Sequence, residues 1–135
     1  MRKLFSTTAM LFSLVGTASA EPFQEVTIGI PVSSIAEAEA WYTSFLGSNV
    51  ETIKPFPGVV ELKASKGVWI QLFETEDKQQ SQTIVRFLVD DMAEAQDGRS
   101  KLGIDTGTAI EVPGVVTFSE FADPFGNALG LYDLP

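Results

Sequence analysis

Two stretches of the sequence show the same order of hydrophobic and polar positions. Residues 26–32 alternate apolar with small or polar side chains, the period of two that predicts a strand with one buried face. The residues expected on that face are Val26, Ile28, Ile30 and Val32. Ser34 and Glu37 then have the spacing of a capping box, and apolar residues follow at three- and four-residue intervals. The pattern therefore predicts a helix that ends near Gly47.

The rest of the chain divides into strands and one more helix. Three strands are predicted after the first helix, at about 50–54, 59–64 and 68–74, with turn signals at Pro55, Pro57-Gly58 and Lys66-Gly67. A strand at Gln82–Val89 and a second capping box, Asp91 to Glu94, predict a helix that stops near Gly103. The last strands are expected at about 107–112, 115–121 and 127–132.

The second half of this pattern repeats the first. Positions 32–38 align without a gap to positions 89–95, and both stretches contain the triplet Ala-Glu-Ala. The pairs Leu46-Gly47 and Leu102-Gly103 match in the same order. Ordered matches at a helix start and a helix end indicate an internal repeat. The sequence thus predicts one α+β domain, residues 21–135, with two βαβββ modules at about 25–75 and 81–133.

The first twenty residues have the organisation of an export signal. Arg2 and Lys3 precede an apolar stretch at 9–15, and small residues follow at Ala18-Ser19-Ala20. A membrane anchor is the alternative, but the apolar stretch is shorter than the roughly 20 residues that span a bilayer. We therefore expect a signal peptide at 1–20, cleavage after Ala20, and a periplasmic or secreted protein.

Composition removes several classes of function. Cleavage would take away Arg2 and Lys3 and no acidic residue, changing the net charge from −9 to −11. That charge repels phosphate backbones and anionic lipid heads, so neither nucleic acid nor a membrane surface is an expected partner. The sequence has no histidine and no cysteine, which excludes the usual general base and the Ser/His and Cys/His nucleophile pairs. The acidic run 74–77 lacks the glycine and spacing of a calcium loop and is interpreted as a solvated loop.

The sequence resembles the vicinal oxygen chelate superfamily, which includes glyoxalases, extradiol dioxygenases and bleomycin-resistance proteins. The segments that carry the resemblance are Val26–Val32, Trp41–Gly47, Val89–Asp91 and Phe121–Asn127. The resemblance implies the glyoxalase/bleomycin resistance fold, a curved mixed sheet with the helices on its outer face. Within the last segment, Asp123, Pro124 and Gly126 have the side chains of a tight turn, so this stretch is interpreted as a structural hairpin rather than a catalytic loop.

The resemblance also implies where a metal would lie. Members that use a metal place its ligands at positions that correspond here to Thr27, Gln71, Ile84 and Gly130. Only Gln71 could ligate a metal well, because Thr27 is a weak donor and the other two side chains offer none. Transition metals require several converging nitrogen, sulfur or carboxylate donors. We therefore expect no metal and no other cofactor.

The strand alternation places a set of side chains on the face opposite the helices. The candidate ligand-binding residues on that face are Thr27, Trp69, Gln71, Phe73, Ile84, Arg86 and Tyr132. Small residues at Gly29, Ala128 and Gly130 are expected to leave room among them. Arg86 could bind a carboxylate or phosphate group, or it could pair with a carboxylate such as Glu120.

Three functions follow from this face, and the sequence leaves all three open. The first is metal-independent binding or sequestration of an anionic or aromatic small molecule, as in the bleomycin-resistance branch of the superfamily. The second is a lyase or isomerase that uses Gln71, Tyr132 or a neighbouring carboxylate. The third is an interaction module whose sheet face is covered by a partner, with a homodimer as the expected form.

Overall fold

A computed structural model describes residues 23–77 and 81–135 as one α+β fold. The predicted signal peptide, 1–20, lies outside the described residues. The elements are β1 (Val26–Val32), α1 (Ile35–Leu46), β2 (Thr52–Phe56), β3 (Val59–Ser65), β4 (Val68–Glu74), β5 (Val85–Leu88), α2 (Met92–Ser100), β6 (Ile110–Val112), β7 (Val116–Ala122) and β8 (Ala128–Asp133). Within these ranges, neither helix has the length and apolar character that crossing a membrane requires.

The strands form two mixed sheets with the same internal order. One sheet runs β1-β4-β3-β2 and the other β5-β8-β7-β6. In each sheet the first strand is parallel to the last, and the other pairs are antiparallel. The two predicted βαβββ modules are therefore confirmed, and they are called module one and module two below.

Both helices begin where the capping residues predict. The Ser34 hydroxyl accepts a hydrogen bond from the Glu37 amide at 3.4 Å. The Asp91 carboxylate accepts one from the Glu94 amide at 2.7 Å. Such bonds satisfy amides that have no partner within the helix. At the other end of α1, Gly47 has a positive φ of 124° and donates its amide to the carbonyl of Thr43.

Each helix is also fastened to the last strand of its own module. The amide of Ile35 donates to Oε2 of Glu74 at 2.9 Å. The amide of Met92 donates to Oδ2 of Asp133 at 2.8 Å. A carboxylate at a helix N-terminus is favoured by the helix dipole as well as by the hydrogen bond. This pair of bonds gives the internal repeat a structural equivalent that the sequence pattern did not reveal.

One hydrophobic core joins the two modules through α1. The buried side chains on the helix side include Ile30, Val32, Leu62, Ile70, Leu72, Leu129 and Leu131. Tyr42 and Phe45 of α1 are buried among them. The Phe45 ring lies 5.1 Å from the ring of Phe87 and 5.6 Å from that of Phe121, both in module two. Because α1 contacts both sheets, the modules share their core instead of folding around separate ones.

Several predicted boundaries were wrong. Strand β5 starts at Val85, not Gln82, since its first ladder pair is Val85 with Leu129. Ile84 therefore lies just before the strand. Strand β6 starts at Ile110 because Gly107 has a positive φ of 76°, which interrupts an extended chain.

Two further corrections concern module one. Pro55, expected in a turn, lies inside β2, where the register shifts between Ile53 and Phe56. An edge strand with an irregularity tolerates proline because the missing amide breaks no ladder bond. Val26, expected on the buried face, is 49% exposed because it lies at the open end of β1.

Candidate functional site

The candidate residues lie on the side of the sheets opposite the helices, which is called the helix-free face. In module one the strand register places Thr27 beside Trp69, and Gly29 beside Gln71. In module two it places Gly130 beside Arg86. The remaining pairs are Pro31 beside Phe73 and Leu88 beside Tyr132. Within each sheet, the register thus places the candidates of that sheet side by side; Ile84 precedes β5.

Gln71 is engaged by a neighbouring carboxylate. Its Nε2 donates to Oε1 of Glu61 at 2.7 Å, and the two residues are paired across β3 and β4. Glu61 was not among the predicted site residues, although the alternation of β3 places it on this face. The amide nitrogen of Gln71 is therefore occupied by a charged acceptor within the protein.

The four positions that hold a metal in the superfamily do not fit one in this chain. Thr27 is exposed and a weak donor, Gln71 can offer only its side-chain oxygen, and Gly130 is buried without a side-chain donor. Ile84 offers only hydrocarbon. Within 23–77 and 81–135, no group of three or more His, Cys, Asp or Glu side chains is placed to hold a metal ion. The donor chemistry of these positions is unlike that of a transition-metal centre.

Arg86 forms an ion pair on the same face of module two. Its Nη2 lies 2.5 Å from Oε1 of Glu120, and the two side chains are 43% and 49% exposed. The predicted alternative, a pairing with Glu120, is thereby confirmed. An anionic ligand would have to compete with Glu120 for the guanidinium. At this exposure the pair itself contributes at most about 1 kcal/mol to stability.

The two glycines of this face differ in the room they leave. A Cβ added at Gly130 would lie 3.0 Å from Cγ of Arg86, and one at Gly29 would lie 3.4 Å from the ring of Phe73. The Arg86 stem therefore covers Gly130, whereas Gly29 remains exposed and lines a cavity. The expectation that Gly130 leaves room was wrong, because a longer side chain from the neighbouring strand lies across it.

Trp69 is also less accessible than an open aromatic wall would require. Only 7% of it is exposed, and Nζ of Lys63 lies 5.5 Å from the centre of its ring. Lys63 is held in turn by Oε2 of Glu51 at 3.2 Å. A cation over an indole ring is an attractive arrangement. Trp69 itself is thus largely covered, whereas Phe56 on the same face of module one is 61% exposed.

Module two presents an exposed apolar row on this face. The row crosses all four strands in register and consists of Leu88, Tyr132, Phe118 and Ile110. Leu88 is 57% and Ile110 is 52% exposed, and the two aromatic rings between them are half-buried. Sequence reasoning found Tyr132 but missed Phe118 and Ile110. The alternation of β7 around the buried Ser119 was the signal that could have identified Phe118.

The turn between β7 and β8 is a buried polar junction between the modules. Oδ2 of Asp123 accepts a hydrogen bond from the Tyr42 hydroxyl at 2.7 Å and another from Nδ2 of Asn127 at 2.7 Å. Its Oδ1 accepts from the amides of Phe125 and Asn127, each at 2.8 Å. Burial, followed by the proximity of Asp123, raises the pKa of Tyr42 well above its ordinary value. The predicted structural hairpin is confirmed, and its carboxylate also anchors α1.

A separate cavity of about 470 Å³ lies where the modules meet. It is lined by residues 28–33, 81–83 and 125–128 together with Thr75, Asp77 and Val85. None of the seven predicted site residues lines it. Gly29 and Ala128, which were expected to leave room, do line it. The rest of the cavity has no sequence signal, because its walls come from strand ends and connecting segments that lie far apart along the chain.

The fold matches that of known proteins of the predicted superfamily. The glyoxalase/bleomycin resistance protein of Catenulispora acidiphila has a TM-score of 0.71 and 19% identity, covering 84% of this chain and 100% of its own. The fosfomycin resistance protein of Listeria monocytogenes has a TM-score of 0.68 and 17% identity, covering 86% and 95%. Lactoylglutathione lyase of Agrobacterium tumefaciens has a TM-score of 0.65 and 19% identity, covering 84% and 96%. No protein-family model and no curated protein matches the sequence. The resemblance is confirmed as a likeness of fold.

Proposed function

We propose that this chain is an exported protein that binds a small, largely apolar molecule without a metal, on the helix-free face of module two. The observation that carries the proposal is the exposed apolar row from Leu88 to Ile110, with two aromatic rings between its ends. Contiguous exposed apolar surface on a soluble domain is typical of a binding site. Aromatic rings supply a large contact area to a flat ligand.

The neighbouring charges define the second half of the proposed site. Two residues along the same strands, the next cross-strand neighbours on this face are Arg86, Gly130 and Glu120. The ion pair between Arg86 and Glu120 therefore borders the apolar row. A ligand with an apolar body and a polar or anionic head would lie along the row and exchange contacts with this pair. Arginine suits such a head because its guanidinium can donate two parallel hydrogen bonds.

Metal independence rests on the donor set. Of the four equivalent positions, only Gln71 could ligate a metal well, and a single good donor does not make a transition-metal site. Sequestration is the mode of action that needs no reactive group on the protein. The neighbouring structures include proteins named for resistance to bleomycin and to fosfomycin, which are small molecules.

Native mass spectrometry of the protein purified from its export compartment tests the proposal. We expect a chain that begins after Ala20, bound to a small molecule, with no divalent metal at stoichiometric amount. Denaturing the same sample releases the ligand for identification. A stoichiometric divalent metal whose removal abolishes turnover would contradict the proposal, and a chain that retains residues 1–20 would contradict export.

A further inference from the structure

Strand β1 forms one edge of its sheet, and its hydrogen bonds show which backbone groups face outward. The amide of Val26 donates to the carbonyl of Gly67 at 2.7 Å, and the carbonyl of Val32 accepts from the amide of Thr75 at 2.9 Å. Both bonds are made on the β4 side. Backbone groups of alternate residues along a strand point to opposite edges. The even-numbered residues of β1 therefore bond to β4, and the odd-numbered residues present their backbone groups to the other edge.

The open edge offers a short set of hydrogen-bonding groups. Nδ2 of Asn127 donates to the carbonyl of Pro31 at 2.9 Å from this side, which agrees with the alternation. Pro31 has no amide hydrogen to offer. Thr27 and Gly29 each present an amide and a carbonyl, and no hydrogen bond from the described residues reaches these groups on the open side. Gly29 is thus the centre of an unpaired edge that ends at a proline.

The cavity at the module junction runs along this edge. Its lining includes residues 28–33 on one side and Thr83 and Val85 on the other. Its volume of about 470 Å³ is in the range of cavities that hold ligands. Asp77 is the one charged side chain among the described lining residues, and the whole chain has a net charge of −9. The cavity therefore favours a guest that is thin, rich in hydrogen-bonding groups and neutral or basic.

We propose that the open edge of β1 binds an extended, neutral or basic peptide by strand addition, with Gly29 exchanging two backbone hydrogen bonds with it. Unpaired sheet edges recognise extended peptides in this way, because main-chain hydrogen bonds supply the affinity. A second copy of this chain is a poorer guest, since two acidic chains repel and Pro31 stops a longer ladder. The peptide site is separate from the helix-free face of module two and does not depend on the small-molecule function.

A blocked peptide with the sequence Lys-Thr-Val-Thr-Val-Lys is a suitable probe. Its binding is followed by the shift of the Gly29 amide resonance and by fluorescence anisotropy of a labelled copy. A peptide of the same sequence with alternate backbone amides N-methylated cannot form the ladder. We expect the methylated peptide to bind at least about tenfold more weakly, the loss that one or two backbone hydrogen bonds predict. A glutamate-flanked analogue should also bind more weakly, and salt should narrow that difference.

Two variants of the protein provide the matched comparison. Gly29→Pro removes the amide donor, whereas Gly29→Ala keeps it, and both add a carbon near the Phe73 ring. Gly29→Pro should weaken binding about tenfold and Gly29→Ala should leave it within about twofold. No binding of the unmodified peptide, or equal binding of the methylated one, would overturn the proposal. A concentration-dependent dimer that Gly29→Pro abolishes would assign the edge to a second copy and would overturn it as well.

Discussion

Module one builds its sheet from three strands of seven residues and one of five, whereas module two uses strands of four, three, seven and six residues. Most of the buried hydrophobic side chains belong to module one, including those of α1. On its helix-free face, Lys63 covers Trp69, whereas Phe56 is 61% exposed. In module two, Leu88 and Ile110 remain exposed on that face. Module one thus provides most of the buried core.

The comparison shows how duplicated elements can diverge without a change of topology. The fastening of each helix to the last strand is retained in both modules, through Glu74 and Asp133. What differs is the covering of the sheet, which depends on a few side chains. Stability should therefore respond most to the shared junction and to module one. Ligand binding should respond most to module two.

The largest loss of stability is expected at the junction. Asp123→Ala removes the acceptor of the Tyr42 hydroxyl and of two backbone amides, all in a buried turn. Leaving these donors unpaired should lower the free energy of unfolding by about 3–5 kcal/mol, measured by denaturant titration. Asp90→Ala, at an exposed position beside the second helix, is the control and should cost no more than about 0.5 kcal/mol. Equal effects of the two variants would show that the junction does not hold the modules together.

Two leucine variants contrast the modules directly. Leu72 is fully buried in module one, and Leu88 is 57% exposed in module two. Leu72→Ala should cost about 2–5 kcal/mol through lost packing and the cavity that it leaves. Leu88→Ala should change stability by no more than about 0.5 kcal/mol. Similar losses in thermal or denaturant unfolding would mean that the face of module two is part of the core and not a free surface.

A smaller effect with a distinct pH dependence is expected for Tyr42→Phe. The variant loses the bond to Asp123 and should cost about 1–2 kcal/mol at neutral pH. Because the pKa of Tyr42 is raised in the folded state, its contribution is complete below the ordinary value of 10.0 and declines as the pH rises above it. The difference in stability between Tyr42→Phe and the unmodified protein should therefore shrink in denaturation experiments at alkaline pH. The control Tyr132→Phe keeps the bond between Tyr42 and Asp123, so it should lose stability at alkaline pH as the unmodified protein does. A stability difference between Tyr42→Phe and the unmodified protein that stays constant with pH would contradict the assignment to Tyr42.

The smallest effects test the equivalence of the modules. Glu74→Ala and Asp133→Ala each remove the carboxylate that binds the first amide of a helix. Each should cost about 0.5–1 kcal/mol, since both lose one capping bond and one favourable interaction with a helix dipole. Amide hydrogen exchange should quicken in the first turn of α1 for one variant and of α2 for the other. If only one of the two variants loses stability, then only one module depends on this bond.

The part of the fold that could be predicted is the part with a local signal. The alternation at 26–32 and the capping pairs at Ser34 and Asp91 gave β1 and both helix starts, because each pattern is complete within a few residues. The bond between Tyr42 and Asp123 joins residues 81 positions apart and has no such signal. The spacing of apolar residues predicted the helix that carries Tyr42 but could not name its partner.

The candidate site was predictable only as a set of positions on a face. Alternation assigned Arg86 to the correct side, and its pairing with Glu120 was one of two alternatives that remained open. Side-chain length decided what alternation could not, because the Arg86 stem covers Gly130. To predict the apolar row that includes Phe118, one would have to know the register between strands, and that register depends on turn geometry and bulges.

The most direct test of metal-independent binding is a titration of chelator-treated protein with anilinonaphthalene sulfonate, a flat apolar probe with an anionic head. The account predicts saturable binding at one site with no effect of added zinc or magnesium. It also predicts binding at least about tenfold weaker in Phe118→Ala and unchanged in Val115→Ala, which removes exposed apolar surface at the neighbouring turn. Binding that requires a divalent metal, or that the two variants weaken equally, would contradict it.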